Sequence, residues 1–172
     1  MTRITGFDTH ADQVYVDRTG PTPTPDPTYG RHAALLYHVS QSVKAFHDDL
    51  KAMGLEERVL TVTFSEFGRR VESNASHGTD HGKAAPIFLF GSGLNASVYG
   101  DNPDLNDLEG GNLKPLIDYR QVYTSILSDW LGAPDSAISD IGFGDYLSQK
   151  IAGLFAAPAA INDLTANYDG RS

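Results

Sequence analysis

The 172-residue sequence contains no cysteine. Disulfide frameworks and thiolate-bound zinc are thereby excluded, leaving carboxylates and imidazoles as the only strong metal ligands. The sequence also lacks the run of about 18 apolar residues needed to span a membrane, and its first residues lack the basic and apolar regions of a secretory signal. Positive charge is scarce: 13 Lys and Arg stand against 22 Asp and Glu, a formal net charge of -9. That balance disfavours a nonspecific grip on nucleic-acid phosphates or on anionic membranes. It leaves room for a small phosphate or sulfate ester, provided that metal cations reverse the local sign.

What is present is ordinary for a folded chain: 40% hydrophobic and 20% charged residues, enough for one core. A single α/β domain is expected over residues 1–155, with 156–172 as a flexible tail. Arg3–Phe7 reads as a strand delivering Asp8-Thr9-His10 at its end. Thr19–Gly30, with four prolines and two glycines, reads as a loop of polyproline character. Between His32 and Met53 the residues Leu36, Val39, Val43, Phe46, Leu50 and Met53 recur at helical steps, and Gly54 marks the stop. Val59–Phe64 and Pro86–Phe90 read as apolar interior strands, joined by a polar loop over Ser65–Lys83. Ile117, Val122, Ile126, Leu127, Trp130 and Leu131 outline a second amphipathic helix closed by Gly132 and Pro134. A weaker helix is expected over Tyr146–Phe155. This order predicts a mostly parallel sheet sandwiched by helices, with ligands beyond the carboxyl ends of its strands.

Three polar clusters could carry chemistry. Asp8 and His10, two apart on an extended segment, could share a cation; Asp8 could equally cap a turn while His10 is a loop histidine. Ser65-Glu66-Phe67-Gly68-Arg69 offers Glu66 to a metal and the Arg69 fork to a substrate oxyanion, or else forms a solvated ion pair. Gly78-Thr79-Asp80-His81-Gly82 is the sharpest, because adjacent carboxylate and imidazole lie between glycines that let backbone fold around an ion. His77 adds to the local ligand density or is a solvated loop residue. Gly78–Lys83 does not make a phosphate-binding P-loop, since three residues instead of four separate the glycines and Ala84 stands where Ser or Thr is required. No G-x-S-x-G elbow is present. His32, His38 and His47 fall on the long helix, where packing or solvent accounts for them.

In order, Gly6-Phe7-Asp8-Thr9-His10 with Gln13, Ser65-Glu66-Phe67-Gly68-Arg69 and Gly78-Thr79-Asp80-His81-Gly82 resemble the successive signatures of the DUF1501 family. The resemblance covers most of residues 4–132. That family is similar to the alkaline phosphatase and sulfatase superfamily, which implies an alkaline phosphatase-like fold and hydrolysis of small anionic phosphate or sulfate esters. It implies one divalent-metal site (Zn, Mn or Ca) held by Asp8, His10, Glu66, Asp80 and His81. The superfamily's nucleophile and an early metal-ligating Asp precede the first Asp/His pair, whereas only seven residues precede Asp8. The expectation is therefore an N-terminally truncated domain, inactive by itself, associating with itself or with a missing N-terminal segment, and derived from an exported or periplasmic parent. The alternative is a noncatalytic exported metal-binding or scaffold protein.

Overall fold

A computed structural model describes residues 1–95 and 97–156. The helical stripe of Leu36 to Met53 forms α1, Arg31–Ala52. Its end is a Schellman stop: Gly54 takes φ +67°, its amide donates to the Lys51 carbonyl (3.0 Å), and the Leu55 amide donates to the Leu50 carbonyl (2.8 Å). Two of the helix's last carbonyls are thus satisfied without a side chain. Leu50 is the one buried residue of this helix, and Leu36, Phe46 and Met53 stay substantially exposed.

The chain forms two compact units, Met1–Ser92 with Gly100–Ile117, and Gly93–Tyr99 with the chain from Asp118. It is a mixed α/β protein, and among the described residues its strands make three two-stranded antiparallel sheets. All three lie in the first unit. β1 (Tyr15–Asp17) pairs with β2 (Thr24–Asp26), β3 (Thr61–Val62) with β6 (Leu89–Phe90), and β4 (Gly68–Ser73) with β5 (Thr79–Gly82).

This corrects the expected parallel sheet. Parallel pairing of the Val59–Phe64 and Pro86–Phe90 runs needs a crossover, usually a helix. The connecting residues instead form the β4–β5 hairpin, and the chain returns antiparallel, Thr61 opposite Phe90 and Val62 opposite Leu89. Each run has one strand neighbour, so Phe64 and Phe88 remain exposed. Two further expectations change with it. Arg3–Phe7 is not a strand, and Thr19–Gly30 contains β2, with Asp17 at the turn before it and Asp26 at the turn after it each accepting from a threonine amide and hydroxyl two residues on.

In the second unit α2, Tyr119–Ser125, starts on a capping box: Asp118 accepts from the Arg120 amide (2.9 Å) and the Gln121 side chain accepts from the Asp118 amide (2.8 Å). The next turn widens, with the Leu131 amide reaching the Ile126 carbonyl five residues back (3.0 Å). Ser125 Oγ donates to the Gln121 carbonyl (2.7 Å) and accepts from the Ile151 amide (2.8 Å), locking the end of α2 to the later chain. α3, Asp135–Asp140, follows and buries Ile138. The helix expected over Tyr146–Phe155 is instead a 3-10 turn over Gly144–Gln149 followed by irregular chain, held by Lys150 Nζ on Ser128 Oγ (2.8 Å) and Asp129 Oδ1 (2.5 Å). Phe155 lies against Trp130, ring centroids 5.7 Å apart. The expected tail lies outside the described residues beyond Ala156. Among the described residues no helix is long and apolar enough to cross a membrane.

The Asp118 cap gives a first expected outcome. Asp118→Ala should destabilise the protein by about 1 kcal/mol, the usual worth of an N-cap. The Arg120 side chain, bonded to Asp118, holds this carboxyl below its ordinary value of 3.8. A depressed folded-state value means that the contribution is complete above the ordinary value and disappears as pH falls through the folded one. Urea unfolding of both proteins should therefore show a difference at neutral pH that closes in strong acid.

Candidate metal centre

The polar stretch after Phe64 folds as a hairpin because its own side chains close the turn. Asn74 Oδ1 accepts from the Ser76 amide (3.0 Å) and the Gly78 amide (3.1 Å), and the Asn74 amide donates to the Gly78 carbonyl (2.8 Å). His77 sits in this turn with φ 56°, so it shapes the backbone. Extra residues on the β4 side between Arg69 and Ser73 bulge that strand while Arg69 stays opposite His81.

Residues 7–13 lie against this hairpin and are bonded to it by backbone: Asp12 N to Ser76 O (3.0 Å), Gln13 N to His77 O (3.0 Å) and Thr79 N to Thr9 O (3.4 Å). The approach requires glycine at 78, since a Cβ there would fall 2.3 Å from the His10 carbonyl carbon and oxygen. Two side chains reinforce it. Arg69 donates to the carbonyls of Thr79 (2.6 Å) and Phe7 (2.6 Å) and to Asp8 Oδ1 (3.2 Å). Asn74 Nδ2 donates to the His10 carbonyl (2.9 Å) and to Asp80 Oδ1 (3.2 Å).

The result is that Asp8, His10 and His81, one ligand atom each, lie within 4.8 Å of one another. Asp8 Oδ1 is the hub, 2.9 Å from His81 Nε2 and 3.0 Å from His10 Nε2. These two spacings are those of hydrogen bonds, and they are also close to the roughly 3 Å between ligand atoms bound at about 2.0–2.2 Å to one cation. His10 Nδ1 faces Asp80 Oδ1 at 3.4 Å. That is the carboxylate–histidine arrangement that fixes the tautomer and orientation of a ligating imidazole. The ring of His81 is stacked on Phe67, centroids 3.7 Å apart and planes at 9°, with the Arg69 guanidinium 4.9 Å from the Phe67 centroid.

The electrostatics follow the geometry. The His81 hydrogen bond above all, with the charge of His10 and the Arg69 hydrogen bond, holds the Asp8 carboxyl below its ordinary value against the opposing effect of desolvation. The Asn74 and His10 hydrogen bonds do the same for Asp80. Both carboxyls are therefore ionised wherever the protein is folded near neutrality. The cluster is open, the side chains of Asp8, His10 and His81 being about half exposed.

Of the five expected ligands, three are brought together and Asp80 stands behind His10. Glu66 is exposed in the turn before β4 and lies outside this group. Arg69 is mostly buried and bonded to two carbonyls. His32 packs edge-on against Phe7, and burial beside Arg69 pushes its imidazole below the ordinary value. His47 Nε2 meets Thr61 Oγ1 at 3.1 Å. Sequence reasoning missed Asn74 and Phe67, whose residue types carry no ligand signal.

A family model described as a protein of unknown function (DUF1501) matches residues 2–127. No curated protein and no solved structure matches the chain.

Proposed function

The chain belongs to the DUF1501 family, and on that premise we propose that Asp8, His10 and His81 bind one divalent cation for the hydrolysis of phosphoric or sulfuric esters. The observation that carries the proposal is the convergence of three donor atoms within 4.8 Å from segments seventy residues apart in sequence. Two imidazoles and one carboxylate favour zinc over calcium, which prefers an all-oxygen shell. A cation bound there supplies Lewis-acid polarisation of an ester oxygen and acidifies water.

The protein's own groups do the rest. Asp80 orients His10, Phe67 fixes the plane of His81, and Arg69 keeps Asp8 turned toward both imidazoles. The open face of the cluster leaves space for a small anionic ester. The ester chemistry and the alkaline phosphatase-like relationship rest on the family resemblance. A noncatalytic metal-binding role is the second reading, favoured by the engagement of both terminal nitrogens of Arg69 with the carbonyls of Phe7 and Thr79.

Assay of this chain and of another DUF1501 protein with aryl phosphate and aryl sulfate esters, with zinc, manganese or calcium added, separates the two. Metal-dependent turnover that disappears in His81→Ala is the expected result. Metal binding without turnover in either protein establishes the noncatalytic reading.

A further inference from the structure

Besides Arg69 and Asn74, a third side chain that is not a ligand joins the two ligand-bearing segments. Gln13 Oε1 accepts from Thr79 Oγ1 at 2.8 Å and from Thr9 Oγ1 at 3.1 Å. Thr9 lies between Asp8 and His10 and is fully buried, and Thr79 immediately precedes Asp80 and His81. A carbonyl oxygen has two lone pairs, and here each is directed to a hydroxyl on a different segment. The Gln13 amide N–H donates to the His77 carbonyl (3.0 Å), which fixes the backbone that presents the side chain.

We propose that Gln13 is a positioning residue for the metal centre, its side-chain carbonyl setting the separation of the Asp8–His10 turn from the His81 strand through Thr9 and Thr79. The inference rests on the cation-binding reading of that cluster. Its physical basis is that the ligands lie on the open surface while this junction is buried or half-buried. A buried hydroxyl without its acceptor costs more than an exposed one, so the amide holds the spacing more stiffly than the exposed Asp8–His81 contact can. Arg69 and Asn74 bind the same segments through backbone carbonyls and the Asp8 and Asp80 carboxylates, and among the described residues Gln13 alone joins them through the two threonine hydroxyls.

The test is titration of the whole chain with Co(II), read by calorimetry and by the visible ligand-field spectrum, beside metal-free thermal melting. Gln13→Met keeps length and removes the acceptor. It should weaken Co(II) binding about 10- to 100-fold, the usual effect of losing a group that orients ligands, and alter the spectrum, with a lower metal-free melting point from the two hydroxyls left without their acceptor. Gln13→Glu retains an acceptor oxygen and should restore both. If Gln13→Met does not fold, Thr79→Val removes one donor only and should still weaken binding and alter the spectrum. Wild-type affinity and spectrum in Gln13→Met, or in Thr79→Val where the former does not fold, overturn the assignment, provided that His81→Ala has lost Co(II). A weakened Gln13→Met that Gln13→Glu does not restore also overturns it, because the loss is then one of packing. Absence of Co(II) binding by the unmodified chain overturns the underlying reading of the cluster instead.

Discussion

Asp8→Ala is expected to abolish stoichiometric binding of zinc or manganese, with affinity falling by roughly 100-fold or more, beyond the 10- to 100-fold typical of an orienting group. The reason is the position of Oδ1, which is within 3.0 Å of both His10 Nε2 and His81 Nε2. Removing Asp8 leaves two imidazoles with no anionic ligand and no common centre. Asp80 does not substitute, since its carboxylate faces the other nitrogen of His10. Equilibrium dialysis or calorimetry with the purified variant measures this, and retention of binding close to that of the unmodified chain contradicts the assignment. Asp8 is about half exposed, so loss of metal should come without loss of fold.

The second large effect is on stability. Arg69→Met should cost about 3 kcal/mol, and Arg69→Lys should recover little of it. Each hydrogen bond from a charged donor contributes about 1.5–3 kcal/mol net, and deleting the donor leaves acceptors unpaired. Here two carbonyls on different segments, Phe7 and Thr79, lose their partner, as does Asp8. The planar fork reaches both carbonyls at once, whereas a lysine ammonium is a single point. The side chain is only 19% exposed, so water cannot readily replace it. Urea unfolding of the metal-free proteins measures the effect, and a loss below about 1 kcal/mol, the level of an exposed contact, would show that the guanidinium is free for another role.

Arg69 also marks the limit of what its sequence context conveyed. A cation beside a glycine and near expected ligands reads as a substrate contact, and nothing in the local sequence announces that Phe7, sixty-two residues earlier, takes the same group. α1 was legible because its apolar spacing and its glycine stop are local signals, and its observed ends lie within a residue of the expected ones. The β4–β5 hairpin was not, because it is held by Asn74, Arg69 and backbone bonds rather than by alternating apolar residues. With that hairpin read as a loop, the flanking apolar runs were placed in a parallel sheet, and the antiparallel return of β6 onto β3 went unseen. The cluster itself was largely legible: Asp8, His10 and His81 were named from their residue types and the family signatures. Glu66 belonged to the same signatures, yet lies outside the group that the fold assembles.

The most direct measurement is a crystal structure of the chain grown with zinc, with diffraction data collected on either side of the zinc absorption edge. The expected result is one anomalous peak at about 2.0–2.2 Å from Asp8 Oδ1, His10 Nε2 and His81 Nε2, with Asp80 still on His10 Nδ1. An ordered cluster carrying no anomalous peak at saturating zinc, or a peak bound only elsewhere on the surface, would contradict it.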